Sequence, residues 1–234
     1  MDVVPNPKKN LIIEIGDKKF IRIPIKTHTI TSQDNLEEII KKYLKFFLEK
    51  DDIVFIAEKV IAILQNRAYP ASEIKPTKLA IFLSKFVSKK PGGIGLAMPE
   101  TMQSAIEEVG IFRIFLAIAG ALVTKPFGIK GFFYIIAGDG ARAIDGPTPN
   151  TIPPYNKYVV KGPKNPQKVA EYIAKIIKRP VAIIDANDRG LRILGTSKSF
   201  KMNKKIFLKA LRDNPLGQSS QSTPIGIFRT INND

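Results

Sequence analysis

Val181-Ala182-Ile183-Ile184 is the segment that leaves this chain least choice. An unbroken apolar run, mostly β-branched, fits a pleated surface and has no polar side to turn to water, so it reads as a buried strand. Its continuation, Asp185-Ala186-Asn187-Asp188-Arg189-Gly190-Leu191-Arg192, delivers two carboxylates, an amide and two guanidinium groups at the strand's carboxyl end. Carboxylates there can hold a hard cation, and the arginines suit phosphate oxygens. The same composition also serves a plain strand exit, in which Asp185 and Asp188 pair with Arg189 and Arg192.

A second stretch has the same grammar. Phe132-Phe133-Tyr134-Ile135-Ile136-Ala137 reads as an aromatic and β-branched strand, and Gly138-Asp139-Gly140-Ala141-Arg142-Ala143-Ile144-Asp145-Gly146-Pro147-Thr148-Pro149-Asn150 follows it as a glycine-rich loop. Glycines allow positive φ and close backbone approach, while Pro147 and Pro149 stiffen the exit. The loop would present Asp139, Arg142, Asp145 and Asn150. Turn chemistry alone uses the same residue types. Taken together, the two acidic loops suggest a divided metal–phosphate site.

Composition narrows the chemistry. The 234 residues are 44% hydrophobic and 25% charged, enough for a substantial core in one domain or two packed lobes. There is no cysteine, which excludes disulfides, zinc–thiolate and iron–sulfur sites and a cysteine nucleophile, and fits a cytoplasmic protein. His28 is the single histidine, so any metal must be held by oxygen, pointing to magnesium, manganese or calcium. The net charge of +16, from 37 Lys and Arg against 21 Asp and Glu, favours acidic partners such as nucleotides. The basic residues are scattered as singles and pairs, with no block that marks a nucleic-acid arm.

Local patterning yields a mixed α/β (α+β) chain. Residues 11–15 and 20–25 read as a hairpin turning at Gly16-Asp17, which sets residues 1–25 apart as an N-terminal extension to a main region over 26–234. Apolar spacing predicts helices over 36–47, capped near Ser32 or Asp34, and over 77–87, 99–109, 166–177 and 201–211. Short strands are expected at 52–56, 158–160 and 225–229. Gly92-Gly93-Ile94-Gly95 reads as a hinge. The apolar stretch 114–124 is about half the roughly twenty residues a spanning helix needs, so it reads as a core helix and no membrane partner is expected. The N-terminus lacks the apolar core of a signal peptide.

Walker and Rossmann glycine patterns, a nucleophile elbow, and RNA-recognition and zinc-finger signatures are all missing. What the motif order does resemble is the coenzyme F420 γ-glutamyl ligase family. Four segments carry the likeness: Thr27-His28-Thr29-Ile30 with Asp34-Asn35-Leu36; Asp52-Ile53-Val54-Phe55-Ile56-Ala57-Glu58-Lys59-Val60; Ala143-Ile144-Asp145 with Asn150; and residues 181–192. The resemblance implies a ligase-like fold forming an intertwined homodimer. It implies a ligase that uses GTP and manganese or magnesium to join an anionic acceptor, such as a phosphorylated deazaflavin, to L-glutamate or a similar amine.

By position, Asp145 and Asp185 would be metal ligands. Thr27, His28, Thr29, Ile30, Glu58, Lys59, Asn150 and the tail Gly217-Gln218-Ser219-Ser220-Gln221 would contact the nucleotide. Lys59, Arg189 and Arg192 would assist phosphoryl transfer. The chain departs from the family at Ala62-Ile63, where Ser-Lys is expected, and at Gln65-Asn66-Arg67, which replaces Glu-Gly-Arg. The metal turn reads Asp185-Ala186-Asn187-Asp188, so Asp188 would take over one ligand role, and Gln218 or Gln221 stands where the tail should be acidic. The alternative is a basic protein on the same scaffold that binds nucleotide, phosphate or nucleic acid without catalysis.

Overall fold

A computed structural model describes residues 4–87, 95–129, 131–187, 190–217 and 221–231. In chain order the elements are β1 (Ile12–Ile15), β2 (Lys18–Ile25), α1 (Leu36–Leu44), β3 (Ile53–Ala57), α2 (Glu58–Leu64), β4 (Ala68–Pro70) and α3 (Lys78–Ser84). There follow α4 (Pro99–Val109), α5 (Ile111–Thr124), α6 (Phe132–Arg142), β5 (Tyr158–Val160), α7 (Pro166–Ile177), β6 (Val181–Asn187), β7 (Gly190–Thr196), α8 (Lys204–Ala210) and β8 (Ile225–Ile231). The chain is mixed α/β, and it divides into two compact units: residues 1–66 with 163–234, and residues 67–162.

The first unit is built on a six-stranded sheet in the order β1-β2-β8-β3-β6-β7. Among the described strands β3 and β6 are the only neighbours that pair in parallel. Side chains alternate across a strand, so Val54, Ile56, Val181 and Ile183 meet Ile39, Ile40 and Leu44 of α1, Val60 and Ile61 of α2, and Ala170 and Ile173 of α7 on one face. Phe55, Ala182 and Ile184 pack with Phe20, Phe228 and Phe207 of α8 on the other. Both faces of the central strands are covered, which is why their sequences are continuous apolar runs. Gly226 of β8 lies under the Phe55 ring, where an added Cβ would sit 2.2 Å from it. The β1–β2 hairpin turns at Gly16-Asp17 as its sequence predicts, with Gly16 at φ +59°, and both strands belong to this sheet.

Helix α1 starts at Leu36 as its spacing predicts, with its cap one residue past Asp34. Asn35 is the N-cap, its Oδ1 accepting from the backbone N–H groups of Glu37 and Glu38, which leaves Asp34 free for another role. Buried charge in this unit is paired. Arg229 of β8 donates from Nε and Nη2 to the fully buried Asp52, and Arg22 of β2 reaches Asp213 and the Ala210 carbonyl.

The second unit joins helices α3 to α6 to the two-stranded ladder β4-β5. Its core gathers Ala80, Leu83, Met102, Ala105, Ile114, Ala117, Phe133, Tyr134, Ala137 and Val159. Two sequence expectations fail here. Residues 132–137 form the start of α6 and are not a strand. Phe132 and Ile136, one helical turn apart, close over Gly120 of α5, and this packing overrides the β preference of the aromatic and branched residues. Asp139 therefore lies on a helix and not in a loop. The helix breaks at Gly138, with φ 82° and ψ −179°, and Arg113 of α5 covers the break by donating from Nε to the Ile136 carbonyl at 2.8 Å.

The second failure is α5. It was expected to be a core helix, yet it buries only Ile114, Ala117 and Ile118 on one face. Of the expected glycine hinge, residues 92–94 lie outside the described residues.

Candidate active site

Strand directions decide where loops meet. β3 and β6 are parallel and end at the same edge of the sheet. β8 is antiparallel to both β2 and β3, so β2 also ends at that edge and β8 begins there. Four segments of the first unit are thereby gathered: residues 26–35 after β2, the start of α2 after β3, the end of β6, and residues 221–224 before β8. Backbone hydrogen bonds tie them, Thr27 N–H to the Ser222 carbonyl at 2.8 Å and Ala57 N–H to the Pro224 carbonyl at 2.9 Å. The edge outside the carboxyl ends of parallel strands is where open α/β sheets bind ligands, because the diverging loops leave a crevice lined by backbone groups.

Within 26–35 the named residues play unequal parts. Thr27 is buried, and its hydroxyl donates to the His28 carbonyl. The Ile30 side chain is in the core. His28 is exposed and held at both ring nitrogens, Nδ1 2.7 Å from the Tyr43 hydroxyl and Nε2 2.8 Å from Asp34 Oδ1. Its backbone N–H also donates to the Tyr43 hydroxyl. The neutral Nε2–H tautomer satisfies all three bonds: Nε2 donates to Asp34, and Tyr43 donates to Nδ1 while accepting from the main chain. Burial pushes the Asp34 carboxyl up, but the Thr31 N–H, His28 and the Thr31 hydroxyl outweigh it and hold the group below its ordinary value.

Glu58 and Lys59 open α2 directly after β3, both half-buried. The register Ala57↔Ile184 brings Glu58 level with Asp185 at the ends of neighbouring strands. Asp185 is not in a loop as expected. It lies within β6, opposite Arg192 of β7, so the two side chains share a face of the sheet and the pairing considered from sequence is geometrically available. Gly217, at φ +78°, is overlain by the Gln221 side chain. Asp188, Arg189, Gln218, Ser219 and Ser220 lie outside the described residues.

Asp145 and Asn150 belong to the second unit, and both are exposed. Asp145 does not follow a strand. It comes after α6 and forms an isolated bridge with Val160, each backbone N–H donating to the other's carbonyl at 2.9 Å.

The donor set suits a hard divalent cation. The potential ligands are carboxylate, hydroxyl and amide oxygens, cysteine is absent, and the single histidine is engaged at both ring nitrogens. Among the described residues no group of three or more His, Asp or Glu converges. A cation held here would draw on water and phosphate oxygens for most of its shell, as magnesium does.

Sequence reading missed the clamp on His28. In the sequence Asp34 stands as a candidate helix cap and within the Asp34-Asn35-Leu36 motif, neither of which points to His28, and Tyr43 carries no signal. The likeness to known proteins rests on one comparison. The family model of F420-0:γ-glutamyl ligase matches residues 24–196. No curated protein matches the chain. With well over half its length matched, the chain belongs to the F420-0:γ-glutamyl ligase family, a family of ligases of coenzyme F420 biosynthesis.

Proposed function

We propose, from that membership, that the chain is a GTP- and divalent-metal-dependent ligase that joins an anionic acceptor acid to the amine of L-glutamate or a similar compound. The observation that carries the proposal is the gathering of residues 27–30, Glu58 with Lys59, Asp185 and residues 221–224 at one edge of the sheet.

The reaction balances in two steps. The acceptor carboxylate attacks the γ-phosphate of GTP, forming an acyl phosphate and releasing GDP. The amine then attacks the acyl carbon, expelling phosphate and losing a proton to give the amide. Asp185 and Asp188, close together in the sequence, would hold magnesium or manganese. The cation would neutralise charge on the phosphates. Lys59, Arg189 and Arg192 would bind phosphate oxygens. Phosphoryl transfer needs little covalent help from a protein and depends on positioning and charge, so such a set is sufficient. The backbone of 27–30, held by the His28–Tyr43–Asp34 clamp, would cradle the nucleotide with Gly217 and Gln221. The family assembly, an intertwined homodimer, is part of the same proposal.

The test is calorimetry of GTP and ATP with and without manganese, followed by phosphate release in the presence of a phosphorylated deazaflavin acid and L-glutamate. Metal-dependent GTP binding and release that needs both acceptor and amine are expected. Binding of nucleic acid that needs no metal and falls steeply with salt, with no GTP binding, would support the non-catalytic alternative instead.

A further inference from the structure

At the opposite edge of the first unit's sheet, where β6 begins, a cavity of about 410 Å³ opens. Pro180, the residue before β6, is in its wall, together with the last turn of α7 and the turn after β7. The start of β6 lies between this cavity and Asp185, and at about 3.3 Å a residue the two are on the order of 15 Å apart. The cavity is therefore separate from the site gathered at the other edge.

Its charge is one-sided. Lys175, Lys178, Arg179 and Lys198 line it against one carboxylate, Glu171. Glu171, four residues before Lys175, is spaced to pair with it along the helix, yet its Oε2 accepts from the backbone N–H of Lys198 at 2.8 Å. Among the described residues no carboxylate pairs with the three lysines. Arg179 is half-buried and pinned by two carbonyls, Nε donating to that of Glu49 at 2.5 Å and Nη1 to that of Lys178 at 2.8 Å. Carbonyls fix the guanidinium without neutralising it, and the Glu49 carboxylate is taken by Arg229. Ser197 Oγ accepts from the Val181 N–H at 2.9 Å and lies 2.8 Å from Ser199 Oγ. Ser197 can thus donate to Ser199, which leaves the exposed Ser199 hydroxyl a proton to give. Cations in the last turn of a helix offset its dipole, but Arg179 and Lys198 lie beyond α7 and line the same cavity.

We propose that this cavity binds a small anion carrying two phosphate groups. Its volume suits a small molecule, whose sites run from roughly 300 to 1,000 Å³. Four cations less one carboxylate leave three positive charges, and a phosphate ester carries about 1.5–2 negative ones, so two phosphates balance the site. Arg179 supplies a fixed fork of donors, the lysines supply point charges, and the Ser199 hydroxyl is a further donor. Binding here does not depend on GTP or a metal at the other edge.

The full chain is titrated by calorimetry with inorganic pyrophosphate and, separately, with orthophosphate, in the presence of a chelator that silences metal-dependent nucleotide binding. Pyrophosphate should bind, and more tightly than orthophosphate. The double variant Lys175→Gln, Lys198→Gln removes two exposed lysines without an ion pair, so its melting curve should match the parent's. It should bind pyrophosphate at least about tenfold more weakly, the factor that one hydrogen bond to a charged group contributes. Lys204→Gln, Lys205→Gln on α8 removes the same charge elsewhere and should bind as the parent does. Metal-dependent GTP binding should survive in the first double variant, and its absence from the parent would count against the proposed function and not against the cavity. Four results would overturn the proposal: no pyrophosphate binding without metal, orthophosphate binding as tightly, undiminished binding in the first double variant, or an equal loss in the second. The last would mark a diffuse attraction by the net charge of +16.

Discussion

Asp185 sits between two roles that pull in opposite directions. Opposite Arg192 it can act as a cross-strand partner, and at the end of β6 it can act as a metal ligand. An opposite-charge pair across two strands contributes roughly 0.2–1 kcal/mol, whereas under the proposed function the loss of a metal ligand would remove metal-dependent nucleotide binding. Under the proposed function, Asp185→Asn abolishes manganese-dependent GTP binding and changes the melting temperature without metal only slightly. A variant that melts well below the parent while keeping metal-dependent binding would assign Asp185 to the pair instead. Lys59 is tested by the same titration. As a phosphate contact from the first turn of α2, its removal in Lys59→Ala should weaken GTP by about 1.5–3 kcal/mol, the range for hydrogen bonds to charged groups. Unchanged affinity with the fold intact would take Lys59 out of the site. Asp34 links the site to pH. Its folded carboxyl lies below the ordinary value, so its stabilising contribution is complete above that value and is lost as pH falls through the lowered one. Acid unfolding followed by circular dichroism should therefore be less steep for Asp34→Asn than for the parent in the strongly acidic range. Equal slopes would mean that the clamp on His28 contributes nothing to the folded state.

At the scale of elements, α6 is the place where local preference and outcome part. Its first six residues favour a strand by type, and its glycines favour a loop. They fold as a broken helix because α5 offers a helical partner with a small residue, Gly120, where Phe132 and Ile136 can close. The break at Gly138 has a backbone conformation that side chains rarely adopt, and an added Cβ would meet the Arg113 guanidinium at 2.7 Å. Gly138→Ala should cost about 1–3 kcal/mol in denaturant unfolding, the scale of a residue held in a disfavoured backbone region. A cost within a few tenths of a kcal/mol would show that α6 straightens at little expense. By contrast α4 and α7 have the bounds their sequences predict, with proline at the first helical position of each and an amphipathic pattern behind it.

At the scale of the molecule, the proposed homodimer is a question of mass in solution. Sedimentation velocity at micromolar concentration and moderate salt should show a dimer. A monomer throughout the range would remove the dimeric reading. Much of the rest was legible from sequence alone. The strands expected at 52–56 and from 181 to 184 announce themselves as apolar runs because both faces of the sheet are covered, and α1, α3, α4, α7 and α8 announce themselves by period. The metal chemistry was confined to oxygen ligands by the lack of cysteine and by a single histidine. These are properties of contiguous residues or of residue type, and no fold is needed to read them. Tertiary structure decided what depends on distant partners. The insertion of β8 between β2 and β3 joins Thr27 to Ser222 across most of the chain, and the parallel pairing of β3 with β6 sets Glu58 level with Asp185. No local pattern encodes a register between segments so far apart. The helix at 132–142 and the half-covered face of α5 were settled in the same way, by which neighbour each segment met.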